Sequence, residues 1–125
     1  MKKKSILLYS CFLLSMPLMA QQNHASDSKA QNKALRDSLA AATNVLAYHP
    51  DSIDLRLKKA AWNIQLEQWA YAKDDLDKVL FLNNTNIAGL FYRAFVNEKM
   101  KRYNFARLDY QNLLALNMMN FLSNF

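Results

Sequence analysis

From Ala34 onward the apolar residues recur every three or four positions, with Leu35, Leu39, Ala42 and Leu46 on one face of a predicted helix that Pro50 closes. The same spacing continues through four more segments, Ile53 to Leu66, Trp69 to Leu82, Ile87 to Met100 and Tyr103 to Leu116. Two-residue corners, Glu67 with Gln68 and Lys101 with Arg102, divide them into pairs. The pattern predicts an all-α chain of antiparallel helix-turn-helix units. The junctions at Asn83, Asn84 and Asn117 are expected at helix ends, because Asn tolerates the left-handed conformation better than other non-glycine residues. Ahead of these segments, Gln21 to Lys33 has Ala as its only apolar residue type, too little to offset the entropy of ordering it, so a flexible leader is expected.

The paired segments repeat. With the stretch from Ile53 laid on itself at a shift of 34, ten of 39 pairs are identical, where composition gives about three. These pairs include Ala60 with Ala94, Asn63 with Asn97, Ala72 with Ala106, Asp75 with Asp109 and Leu80 with Leu114. Aromatic character is also kept, Trp69 falling on Tyr103 and Tyr71 on Phe105.

A helix-turn-helix period of 34 residues resembles the tetratricopeptide repeat (TPR) family, over about Lys33 to Phe125. The small residue inside that family's first helix matches Ala60 and Ala94, and the Ala opening its second helix matches Ala72 and Ala106. A bulky residue follows one turn later, as with Leu76 and Tyr110. The family's closing proline is present as Pro50, in register with the full units. The implied organisation is a signal peptide (1–20), the leader (21–33), a half repeat (34–50), full repeats at 53–86 and 87–120, and the start of an incomplete third repeat at 121–125, as in a truncated form of a longer array. Where the family usually has Leu and then Tyr on the packing face of the first helix, this chain has Lys59 with Asn63 and Arg93 with Asn97.

The N-terminus carries a different signal. Met1 to Lys4 are basic, Ile6 to Leu14 almost continuously apolar, and Pro17 precedes Leu18, Met19 and Ala20 before the polar Gln21. Charge, apolar core, helix breaker and small residue come in the order of a secretory signal peptide, with cleavage expected after Ala20. Ile6 to Ala20 is 15 residues, short of the roughly 18 to 20 that span a bilayer. The expected product is an exported protein, periplasmic or secreted and of bacterial type, that does not cross the membrane. Cys11 sits among Tyr9, Phe12 and Leu13 rather than after a small-residue box, so it reads as part of the apolar core and not as a lipid attachment site. The mature chain then has no cysteine and holds its fold by packing alone.

Composition narrows the function classes. A single Gly excludes a glycine-rich phosphate cradle or a dinucleotide-binding turn. The formal charge of +6 falls to +3 without Lys2, Lys3 and Lys4, a weak excess that disfavours nucleic acid as a partner. His24 and His49 have no third ligand nearby, and Asp74, Asp75 and Asp77 lack the turn of a calcium loop, so they read as a solvated helix face with no metal or cofactor. No Ser-His-Asp grouping or paired carboxylate points to an enzyme.

The spacing of Lys59 with Asn63 and of Arg93 with Asn97 could grip a carboxylate. Neither pair matches a concave position of the family pattern, so their stems are expected over the core, their charges in water, and the Asn side chains on nearby backbone. The resemblance implies a concave binding face from Asp54, Leu57, Lys58, Ala61, Ile64 and Gln65 in the first unit. In the second it implies Ala88, Phe91, Tyr92, Phe95, Glu98 and Lys99. Phe91 and Phe95 suit either apolar anchors for a partner segment or packing on the neighbouring helix, while Trp62 and Trp69 read as core. The expected function is a non-catalytic module for a protein or peptide partner. The alternative is a structural assembly subunit that self-associates, or joins a complex, through its apolar C-terminal end, where Met118, Met119, Phe121, Leu122 and Phe125 leave no polar cap.

Overall fold

The computed structural model describes the side chains of residues 25–125 and, for residues 4–24, the backbone. The stretch read as a signal peptide, with Cys11 and the cleavage point at Ala20, lies outside the fully described residues. Among the described residues five helices follow in order: α1 (Lys4–Tyr48), α2 (Ile53–Gln65), α3 (Trp69–Leu82), α4 (Ile87–Lys99) and α5 (Tyr103–Ser123). They divide into two units, Met1–Arg36 and Asp37–Phe125. In the first, residues 25–33 are helical and exposed, where the sequence suggested a leader without structure. The repeats belong to the second.

Local chemistry sets the ends of each helix. Helix α1 stops two residues before Pro50, and Ser52 caps α2 by accepting a hydrogen bond from the Leu55 amide at 3.4 Å. Asn86 does the same for α4, accepting from the Gly89 amide at 2.7 Å. The left-handed residues are not the junction asparagines. They are Glu67 (φ 56°) and Lys101 (φ 60°), one in each expected corner. At both, the amide of the following residue returns to the carbonyl of the buried Asn five positions back, Gln68 to Asn63 at 2.8 Å and Arg102 to Asn97 at 2.7 Å. This is a Schellman closure, and it satisfies carbonyls that the helix end would otherwise orphan. Asn83 is extended instead, and its side chain accepts from the amide and hydroxyl of Thr85.

Asn117 ends nothing. Helix α5 runs through it to Ser123, where the sequence placed a helix end at Leu116 and a new repeat from 121. Neither Gly nor Pro interrupts that stretch, and one Asn inside a helix costs well under about 1 kcal/mol.

Helices α2 and α3 pack as one antiparallel pair, α4 and α5 as the next, and α3 meets α4 between them. Ala60, Ala72, Ala94 and Ala106 are buried where the paired helices approach. A central cluster of Ala60, Ala72, Leu76 and Val96 is flanked by Leu57, Ile64, Trp69, Tyr92, Phe95 and Met100. Each fully buried Leu or Val stabilises the unit by about 1.5 to 3 kcal/mol. The one glycine serves packing and not a turn. A Cβ on Gly89 would stand 3.0 Å from Val79 Cγ1 and 3.2 Å from Leu80 Cδ2, so its absence lets α4 close on α3.

Candidate functional site

The face expected to bind a partner runs along α2 and α4. On α2, Leu57, Ala61 and Ile64 are half-buried, and Lys58 and Gln65 are exposed. On α4, Phe91, Glu98 and Lys99 are exposed while Tyr92 and Phe95 are half-buried. The two phenylalanines therefore part company. Phe95 meets Trp69 edge to face at 6.1 Å and flanks the central core, with Lys99 Nζ 5.2 Å above its ring. Phe91 touches the ring of Tyr92 at 6.0 Å and leaves half of its surface, 50%, in solvent. At the edge of this face the Tyr110 hydroxyl donates to Glu98 Oε2 at 3.2 Å. Partial burial, and then the bond to Glu98, raise the pKa of that phenol.

Behind this face lies a polar seam that differs from expectation. Lys59 and Arg93 do not leave their charges in water. Arg93 grips Asp109 with two parallel bonds, Nε to Oδ2 at 2.8 Å and Nη2 to Oδ1 at 2.7 Å, and reaches Asp77 through Nη1 at 3.1 Å. It thus ties α4 to both α3 and α5. The bond to Asp109 raises the Arg93 pKa against the opposing effect of burial. In the preceding repeat Lys59 meets Asp75 at 3.3 Å, and Arg56 joins it at 2.9 Å. Asp75 and Asp109 are 4% and 2% exposed, so Asp75 is no part of a solvated acidic face. A carboxylate enters such an interior when a guanidinium or ammonium group accompanies it.

The signal for this seam was present in the 34-residue comparison. An identical acid (Asp75, Asp109) and a kept cation (Lys59, Arg93) recur together, which is what a repeated ion pair requires. Arg56 left no such trace, because its counterpart is Leu90. Asn63 and Asn97 are buried as well. Their backbone carbonyls close the helices, whereas the side-chain Oδ1 of Asn97 has no hydrogen-bond partner. It was expected to bond to backbone. Asn97 borders a cavity of about 260 Å³ shared with Lys73, Arg93, Arg102 and Phe105, with the Arg102 guanidinium stacked 4.5 Å over the Phe105 ring.

Among the described residues, no group of three His, Cys, Asp or Glu side chains could hold a metal ion. No helix among them is long and apolar enough to cross a membrane.

Compared by sequence, the chain matches no protein-family model and no curated protein. Compared by structure, it is similar to the second TPR of Spaghetti (RPAP3) bound to HSP90 peptide SRMEEVD, with a TM-score of 0.63 over 78% of this chain and 98% of that one. Identity is 18%, so the likeness is one of fold: the helical repeat is TPR-like.

Proposed function

We propose that this TPR-like chain is a non-catalytic binding module that holds a peptide segment of a partner protein along α2 and α4. Phe91 carries the reading. A phenylalanine half in solvent, beside Tyr92 and one turn from the packed Phe95, is a rigid apolar anchor that loses little entropy on binding. The similar RPAP3 domain is bound to a peptide, which supports the same use of the fold here. The order of charge, apolar core and small residue through Met1–Ala20 supports export to the cell envelope, with Gln21 as the mature N-terminus. N-terminal sequencing of the exported chain checks that point, and a lipid-bearing start at Cys11 would overturn it.

Peptides selected from a random display library test the site. Phe91→Ala is expected to weaken the selected peptides by about 1 to 2 kcal/mol, or roughly 5- to 30-fold, with little change in the melt. Phe95→Ala is expected to lower the melting temperature instead, because it removes the packing against Trp69. Selected peptides that bind Phe91→Ala as well as the parent would refute the assignment.

A further inference from the structure

The outer face of α5 has no covering element among the described residues, although the fold builds it as a packing face. Its counterparts show this. In the first repeat, Leu76 and Leu80 are 0% and 6% exposed, and at the 34-residue shift they become Tyr110 and Leu114, 36% and 62% exposed. Helix α4 packs on α3 beside Leu80, but in the second repeat α4 is already engaged between α3 and α5.

The uncovered face is longer than one repeat needs. Tyr103, Arg107, Tyr110, Leu114, Met118 and Phe121 fall at steps of three and four along α5, within an arc of about 80° at 3.6 residues per turn, and Phe125 follows two residues past the helix end. Past the end of α5 Phe125 turns onto Phe121, the two rings meeting edge to face at 4.9 Å. The N-terminal half of the stripe holds a hollow of about 430 Å³, lined by Tyr103, Ala106, Arg107, Tyr110 and Leu114 of α5 and rimmed by Glu98 of α4. The C-terminal half, from Ala115 on, has no charged residue and offers Met118, Phe121 and Phe125, which are 58%, 63% and 94% exposed. The α5 residues of the hollow and the projecting Met118 and Phe121 lie on one continuous helix, so these cannot meet within a single chain.

We propose that two copies pair antiparallel along α5, with Leu114 at the two-fold axis. That arrangement brings each apolar tail over the other copy's hollow. It sets Tyr103 opposite Phe125, Tyr110 opposite Met118, and Arg107 opposite Phe121, where the guanidinium can lie on the ring as Arg102 already lies on Phe105. No charge faces a like charge. The six apolar side chains of the stripe expose on the order of 700 Å² per copy, near the roughly 800 Å² per partner of a specific interface. The pairing meets the peptide site only at its edge, where Glu98 lines the hollow and accepts from Tyr110, and leaves Phe91 and the face of α2 free.

Light scattering after size exclusion of the full chain, across dilution, combined with single-cysteine crosslinking in a Cys11→Ser background, tests the pairing. The expected mass is twice 14.5 kDa, falling to the monomer on dilution. Leu114→Glu is expected to be monomeric at every concentration with an unchanged circular dichroism spectrum, since Leu114 is exposed in the single chain. Leu114→Cys is expected to oxidise to a linked dimer. Tyr103→Cys is not, because two such positions lie about 33 Å apart at 1.5 Å per residue, far beyond disulfide reach. A mixture of Tyr103→Cys and Phe125→Cys is expected to give the mixed dimer. A monomeric parent, a dimeric Leu114→Glu, or self-linking of Tyr103→Cys as efficient as that of Leu114→Cys would each overturn the proposal.

Discussion

Replacing Arg93 by Ala, and Lys59 by Ala in parallel, compares one repeat position in two settings. In Arg93→Ala the Asp109 carboxylate, 2% exposed, loses both of its bonds at 2.7 and 2.8 Å. Among the described residues Arg93 is the cation that meets Asp109, so a buried charge is left without compensation. That situation costs about 3 to 5 kcal/mol, and the partial exposure of the Arg93 side chain, 26%, argues for the lower end. In Lys59→Ala, Asp75 retains Arg56 at 2.9 Å and gives up the weaker of its two ion pairs, the one at 3.3 Å. A loss of about 1 kcal/mol or less is expected there. The difference of about 2 kcal/mol corresponds to roughly 10 °C in melting temperature for a domain of this size. Urea denaturation followed by circular dichroism reads both variants. Adding Asp109→Ala to Arg93→Ala removes the stranded charge, so the double variant is expected to lose at least about 2 kcal/mol less than the sum of the single losses. Equal losses for Arg93→Ala and Lys59→Ala, or additive losses at Arg93 and Asp109, would refute the reasoning.

Other substitutions probe the local features. Glu67→Gly and Lys101→Gly are each expected to stabilise by about 0.5 to 1 kcal/mol in thermal melts, because both residues sit at positive φ, which costs a side chain and not glycine. Gly89→Ala is expected to lower stability by about 1 kcal/mol despite its better helix propensity, since the added Cβ would stand 3.0 Å from Val79 Cγ1; a more stable variant would mean that α4 can move away freely. Asn97→Leu is expected to fall within about 1 kcal/mol of the parent in urea, because removing an acceptor with no partner offsets the added volume. A loss well above that would show that Oδ1 holds a water or ligand in the adjoining cavity.

The sequence by itself determined the three middle helices, the presence of a helix on either side of them and the corners between the paired ones, but not where α1 begins or α5 ends. Apolar spacing, Pro50 and the 34-residue self-match are local signals, and helix formation answers to local signals. The buried alanines were legible for the same reason, since a small residue kept at one repeat position marks a close approach. Tertiary structure decided what each charge does. Asp75 resembles its neighbours Asp74 and Asp77 in sequence, and it is buried because Arg56 and Lys59 reach it from another helix. Phe91 and Phe95 share one spacing and one residue type, yet Trp69 lies against Phe95 alone. The role of the single glycine also depended on what stands opposite it, the side chains of Val79 and Leu80. Periodicity assigns a residue to a face of its helix, but burial and pairing depend on residues that are brought opposite it from distant parts of the chain.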